Sequence, residues 1–310
     1  MTVTILIGDA RAQLATMPDD SVDCVVTSPP YWGLRDYGVA GQIGLEASLG
    51  EHIAVLVEVF RSVRRVMKPE ASLWLNYGDC YASAPNGRSA ASTKAAGKDD
   101  RTFRDKPVST VGGALKPKDL CLMPYRLAIA LQEDGWWVRS DIVWAKPNAM
   151  PDSSGRYRPS AAHEQLFLLT KSAHAFYDSA AVRMPMQASS VARLAQNIDM
   201  QQGSLRAYAG KNAARPMKAV GRPSTRKRGV DPRHEGGVNH KHLDDVPRGE
   251  GRLLRNYEPD LAPLVPPPVW EIATAAYSDA HFATFPPALV VPCILATCPP
   301  GGVVLDPFGG

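Results

Sequence analysis

The hydrophobic pattern changes period several times along the chain. Val3–Ile7 is a short β-branched run ending at Gly8-Asp9, and it predicts a first strand. Ala10–Met17 predicts a short amphipathic helix. Val22–Thr27 is largely apolar, without polar alternation, and Ser28-Pro29-Pro30 follows it. Such a run suits a strand of a parallel sheet covered on both faces. Glu51–Lys68 gives the clearest helical period, with Ile53, Leu56, Val57, Phe60, Val63 and Met67 on one face. Arg61, Arg64, Arg65 and Lys68 crowd its C-terminal half, where the helix dipole favours cations. Pro69 is expected to stop this helix, and Ser72–Asn76 to form the next strand, ending at Gly78-Asp79. Tyr81–Lys118 has no apolar period and is rich in Ser, Ala, Gly and Lys, which predicts a mobile loop.

Regular pattern resumes with a helix at Leu122–Glu133, a turn at Asp134-Gly135, and strands at Trp136–Trp144 and Glu164–Thr170. The two strands suit the closing pair of an α/β sheet. Met184–Asn256 is punctuated by Gly and Pro and poor in core residues. Leu261–Trp270 is proline-rich and predicts a connector, Phe285–Ala296 a helix, and Val303–Leu305 a short strand running into Asp306-Pro307-Phe308-Gly309-Gly310. The alternation of strands and helices predicts an α/β, doubly wound sheet. It divides as 1–182, with the loop at 81–118; an insertion at 183–260; and 261–310.

Charge sharpens that division. The net charge of +4 conceals a split: Val182–Asn256 holds 15 Lys and Arg against 6 Asp and Glu, while the rest holds 20 against 25. A basic middle inside an acidic frame points to nucleic acid. At 45% hydrophobic and 21% charged residues, the 310-residue composition excludes a mainly disordered or collagenous chain. No apolar run approaches the roughly 18 residues that would span a membrane, and Met1–Ala10 lacks the basic start and apolar stretch of a signal peptide. Five cysteines without a CxxC pair suit reduced intracellular thiols.

The sharpest chemistry lies in Thr27-Ser28-Pro29-Pro30-Tyr31-Trp32, just beyond a strand end, where open α/β sheets bind ligands. The residue before a proline is held extended, so two consecutive prolines fix both Ser28 and Pro29 and remove two N–H donors. What remains is a rigid row of acceptors: Ser28 Oγ and the carbonyls of Ser28 and Pro29. Tyr31 and Trp32 add flat faces beside it. An acceptor pair next to a stacking ring suits a nucleobase carrying an exocyclic amine. The glycine turn after Val303–Leu305 lets backbone approach a ligand closely.

Together these stretches resemble the amino-methylating DNA methyltransferases that use S-adenosyl-L-methionine, in the permuted class whose catalytic motif precedes the cofactor motif. TSPPYW resembles the catalytic motif, assigning Ser28, Pro29, Pro30 and Tyr31 to catalysis. HFATFP (281–286) resembles the helix start that helps hold the methionine end of the cofactor, with Phe282 and Thr284. LDPFGG (305–310) resembles the opening of the glycine-rich cofactor loop, with Asp306, Phe308 and Gly309. Gly8-Asp9-Ala10 is similar to the turn whose Asp contacts the cofactor adenine. The likeness extends to Leu73–Asp79, Trp136–Pro147 and His163–Lys171. It implies a Rossmann-like methyltransferase sheet, with the basic insertion as target-recognition region and Arg222, Arg226, Lys227, Arg228 and Arg233 as candidate phosphate contacts. It further implies double-stranded DNA as substrate, a cognate restriction endonuclease as candidate partner, and the cytoplasm of a prokaryote or its phage.

On this resemblance the base is flipped from the duplex. Its amine donates to Ser28 and the Pro29 carbonyl, Tyr31 stacks on the ring, and the methyl group passes by direct in-line displacement. In the family, Ser before Pro-Pro-Tyr leans to cytosine N4, whereas Asp or Asn leans to adenine N6. Pro292-Cys293 superficially resembles the cytosine-C5 nucleophile, but its apolar helical neighbours predict a core thiol. His163-Glu164 resembles a site pair, yet His, Glu and Asp are too scattered for a metal motif, and none is expected. His234, His240 and His242 lack nearby Cys partners for zinc. Beyond the glycine loop the family continues with a helix and an acidic-ended strand, so the pattern predicts a chain ending partway through the cofactor site. The competing functions are a DNA binder without a complete cofactor site and methyl transfer to RNA or protein.

Overall fold

The computed structural model describes residues 2–36, 39–84, 108–149, 157–183, 267–275 and 284–309. The chain divides into two units, Met1–Val182 with Pro266–Gly310, and Arg183–Val265. Apart from Arg183, the described residues all belong to the first. Phe282 and Gly310, the three insertion histidines, and Arg222, Arg226, Lys227, Arg228 and Arg233 lie outside the described residues.

In chain order the elements are α1 (Ala10–Thr16), β1 (Val22–Thr27), α2 (Leu49–Val66), β2 (Met67–Tyr77), α3 (Met123–Glu133), β3 (Trp137–Ala145), β4 (His163–Thr170), β5 (Val269–Glu271), α4 (Pro287–Thr297) and β6 (Val304–Leu305). They build one six-stranded sheet in the order β5-β3-β4-β2-β1-β6. β1 runs parallel to β2 and β6, and β3 parallel to β5. β4 is antiparallel to both β2 and β3. The C-terminal ends of β1, β2, β3 and β6 therefore share one edge of the sheet with the start of β4.

Alternation along the strands separates two cores. Val25, Leu73, Leu75, Phe167 and Leu169 face α1, α2 and α3 in one buried cluster. Cys24, Val26, Trp74, Leu166 and Leu168 face α4 in the other. Side chains one residue apart point to opposite faces, so helices on both sides explain why β1 is buried throughout. α2 begins with a capping box: Ser48 Oγ accepts from Glu51 N at 3.2 Å, and Glu51 Oε2 accepts from Ser48 N at 3.1 Å. Leu56, Val59, Phe60, Val63 and Val66 form its buried stripe.

Three expectations need correction. Val3–Ile7 joins no ladder among the described residues, and Val3, Ile5 and Ile7 are exposed. A β-branched run becomes a strand only by pairing with a neighbour's N–H and C=O groups, and Val3–Ile7 makes no such pairing among the described residues. Pro69 does not stop α2: the helix ends at Val66 and β2 starts at once. The β1–β2 register jumps from Val22↔Met67 to Cys24↔Ser72. Pro69 sits in the skipped stretch, where its missing N–H breaks no ladder bond. The proline-rich connector expected at Leu261–Trp270 instead contributes Val269 and Trp270 to the edge strand β5. In the described flanks of Tyr81–Lys118, Ala82 N donates to Asp119 O at 2.8 Å and Thr110 N to Ser83 O at 3.0 Å. The centre of that segment, 85–107, lies outside the described residues.

Among the described residues, no helix is long and apolar enough to cross a membrane. None of the five cysteines forms a disulfide. Cys293 is buried in α4, its thiol donating to Leu289 O and its pKa held well above the ordinary value by burial, as befits a core thiol.

Candidate active site at the strand ends

β1 delivers Thr27 to the shared edge fully buried, and the chain leaves it as Ser28-Pro29-Pro30-Tyr31-Trp32. Thr27 Oγ1 donates to Asp306 Oδ1 at 2.5 Å. That bond crosses from β1 to the end of β6 and joins the two motifs, 279 residues apart in sequence. Asp306 Oδ1 also accepts from Phe308 N at 3.0 Å, which fixes the turn after β6. Asp306 is exposed and Phe308 half-buried against the core. At Gly309 the nearest atoms to an added Cβ would be those of Asp306, at 3.7–3.8 Å, so the local turn leaves room there.

Ser28 and Pro30 are half-buried and Pro29 is buried. Tyr31 is wedged between three elements. Its ring meets Tyr77, the last residue of β2, edge-on with centroids 4.9 Å apart. It also lies so close to Gly78 that a Cβ there would come within 2.6 Å of Tyr31 Cε2. Its hydroxyl donates to Glu164 Oε2 at 2.9 Å and faces Ser28 Oγ at 3.4 Å. Burial, reinforced by the Glu164 charge, holds the Tyr31 pKa well above the ordinary tyrosine value.

Glu164 is the second residue of β4. Besides Tyr31 it engages Asn76 Nδ2, at 3.1 Å, and forms an ion pair with Lys146, just past β3. Lys146 rests 4.2 Å above the Trp144 ring. Four strands thus contribute to one polar cluster behind Ser28. In sequence, Glu164 shows only as half of a His-Glu pair; its partners lie 18, 88 and 133 positions away. No local pattern carries those separations.

Trp32 departs from the expected stacking face. It is 3% exposed, its Nε1 donates to Glu46 O at 3.0 Å, and its ring stacks on His52. His52 bridges Glu46 Oε2 at 2.6 Å and Tyr77 Oη at 2.7 Å. Trp32 therefore belongs to the core that backs the site.

Asp9 caps α1 and is engaged within its own turn: Arg11 donates to it from N, Nε and Nη2 at 2.8, 3.0 and 2.7 Å. The Arg11 guanidinium bonds lower its pKa to about 2. Thr284 is exposed shortly before α4. An open cavity of 570 Å³ is lined by Arg11, Asp36, Gln42, Glu46 and their neighbours, and neither Ser28, Tyr31 nor Asp306 lines it. The geometry thus brings Ser28, Tyr31 and Asp306 to one sheet edge and leaves Asp9 and Thr284 on separate elements. Among the described residues no cluster of His, Cys, Asp and Glu could hold a metal ion.

The family model described as DNA methylase (N6_N4_Mtase) matches residues 22–310. The chain is 39% identical to the type II methyltransferase M.XycI of Xanthomonas campestris pv. cyanopsidis over 307 residues, 99% of this chain and 76% of that protein. It is 37% identical to the type II methyltransferase M.SmaI of Serratia marcescens over 316 residues, 99% of this chain and 79% of that one. Among solved structures it resembles the PvuII DNA methyltransferase (cytosine-N4-specific), with a TM-score of 0.52 and 16% identity across 97% of this chain and 72% of that chain.

Proposed function

The chain belongs to the N6/N4 DNA methylase family, and from that premise we propose that it methylates the exocyclic amine of a flipped base in duplex DNA, with cytosine N4 preferred. One observation carries the proposal: Ser28 stands at the strand edge with Tyr31 beside it, and Thr27 ties that motif to Asp306 at the end of β6. The preference for cytosine rests on Ser28 itself, since Ser before Pro-Pro-Tyr leans to cytosine N4 in this family.

A base inside a duplex cannot present its amine to a second reactant, so it must leave the stack. Ser28 Oγ and the Pro29 carbonyl then accept from the amine and aim its lone pair. Tyr31 offers the ring on which the base rests. Two prolines remove the donors that would compete. The rate gained is that of positioning, and no covalent enzyme adduct is needed. S-adenosyl-L-methionine, when bound, supplies an electrophilic sulfonium methyl. The donor set fits it: an exposed Asp306 carboxylate suits the ammonium or hydroxyl groups of such a cofactor, Phe308 offers an apolar face, and the turn has room at Gly309. Asp9, Phe282 and Thr284 are proposed as further cofactor contacts. The basic insertion, 183–260, is proposed as the target-recognition region, with Arg222, Arg226, Lys227, Arg228 and Arg233 on phosphates.

The test is to incubate the protein with labelled S-adenosyl-L-methionine and unmethylated mixed-sequence duplex DNA, then identify the modified nucleoside by mass spectrometry. N4-methylcytosine is expected. N6-methyladenine alone would overturn the cytosine preference, and unlabelled DNA would overturn the activity. Ser28→Ala and Tyr31→Ala are each expected to abolish label transfer with cooperative melting retained; full activity in either overturns the assigned roles.

A further inference from the structure

A hydroxyl can accept a hydrogen bond from an amine while donating its own proton elsewhere, and the useful direction at Ser28 must be imposed from outside. A chain of hydrogen bonds running back from Ser28 imposes it. Glu164, paired with Lys146, presents a carboxylate, which accepts and does not donate. The Tyr31 hydroxyl is 2.9 Å from it and has one proton, so that proton is committed to Glu164 Oε2. Tyr31 Oη is thereby left as an acceptor facing Ser28 Oγ at 3.4 Å, which draws the Ser28 proton inward. The Ser28 lone pairs then face the site. Asn76 Nδ2, 3.1 Å from the same carboxylate oxygen, adds a donor from β2, and Lys146 holds the other oxygen. Burial keeps Tyr31 protonated, so it remains able to donate.

We infer that Glu164 is a positioning residue that works through Tyr31, setting the direction of the Glu164–Tyr31–Ser28 hydroxyl chain so that Ser28 meets the substrate amine as a pure acceptor. Glu164 touches no reacting atom. Its effect is to remove the alternative state in which Ser28 points its proton at the amine and repels it. The inference rests on the methyl-transfer function proposed above.

The test is a double-mutant cycle. Glu164→Gln keeps the shape but supplies an amide that can donate to Tyr31, so the direction is no longer fixed. Single-turnover methylation of mixed-sequence duplex DNA should slow roughly 10- to 100-fold, with KM for DNA and for S-adenosyl-L-methionine within about twofold of the parent. In the Tyr31→Phe background, which already breaks the chain, Glu164→Gln should cost less than about twofold. Glu164→Asp should recover part of the rate. Independent multiplication of the two effects, or a parent-like rate in Glu164→Gln, overturns the inference.

A second measurement does not depend on turnover. The tyrosine C–O stretch, isolated as parent minus Tyr31→Phe in difference infrared spectra, should report a phenol donating to a carboxylate, and the signature should vanish in Glu164→Gln. An unchanged band overturns the inference even if the protein methylates DNA. A parent protein that leaves DNA unlabelled overturns the methyl-transfer function instead, while the spectra still decide the hydroxyl chain.

Discussion

Gly78 carries no side chain because Tyr31 fills the space one would need. A Cβ at that position would meet Tyr31 Cε2 at 2.6 Å and the Glu164 carboxyl at 3.2 Å. The tyrosine cannot simply turn away, since Tyr77 packs on its ring and Glu164 holds its hydroxyl. Gly78→Ala should therefore displace Tyr31 by a sizeable fraction of an ångström and slow methylation roughly tenfold or more. The expected loss in melting temperature is modest, and comparing initial rates with thermal melts checks the separation. At this scale the sequence displays Ser28 and Tyr31 openly, because the motif is contiguous and its prolines constrain their own neighbours. Glu164, Lys146 and Asn76 stay hidden, because each is ordinary in its local surroundings and becomes functional only through partners on other strands. Trp32 departs from expectation for the same reason: an aromatic beside a site motif can face the site or the core, and the Glu46–His52–Tyr77 network decides for the core.

Elements are held in place by a few polar ties between neighbours. Asp23, on β1, accepts from Lys68 Nζ at 2.8 Å and from Val303 N at 2.8 Å, linking the start of β2 to the approach to β6. Burial by itself would raise the Asp23 pKa, but Lys68 and the Val303 N–H outweigh it and lower it. A carboxyl whose folded pKa is depressed contributes stability above its unfolded value near 3.9, and that stability is lost as pH falls through the lower folded value. Lys68→Met leaves burial less opposed, so the acid-unfolding midpoint should move to higher pH. The cost near neutral pH should be about 1 kcal/mol, since the lysine is partly exposed. Melts taken across pH 2–6 would show both effects. Ser48→Ala removes one arm of the α2 capping box and should cost about 1 kcal/mol, seen as a melting temperature lower by roughly 2–4 °C. Helix period is legible in α2 and α3, because burial on one face writes itself every three to four residues. The places of Pro69 and Val269 are not, since a proline is allowed wherever a ladder skips a residue and a two- or three-residue edge strand leaves little pattern.

On the scale of the whole molecule, charge and sheet topology fall in different parts of the chain. The unit formed by Met1–Val182 with Pro266–Gly310 gathers its strand ends into one polar edge, whereas most of the excess positive charge falls in 183–265. If that charge neutralises phosphates, binding should weaken linearly in log salt. Replacing Arg226, Lys227 and Arg228 by Ala should reduce the slope by up to roughly 2.7, about 0.9 for each phosphate no longer neutralised. Fluorescence anisotropy on mixed-sequence duplexes at several salt concentrations measures it, and an unchanged slope removes these three from the DNA interface. Composition, period and contiguous motifs by themselves determined the α/β class, the strand that ends in TSPPYW, the second motif at LDPFGG and the basic insertion, because each is encoded by neighbours in sequence. Only the tertiary structure decided that Val3–Ile7 joins no ladder among the described residues, that Trp32 turns inward, that Thr27 meets Asp306, and that Glu164 stands behind Tyr31. Those outcomes depend on which strands lie side by side, and hydrogen bonds between residues 133 or 279 positions apart exist only after the sheet has chosen its order.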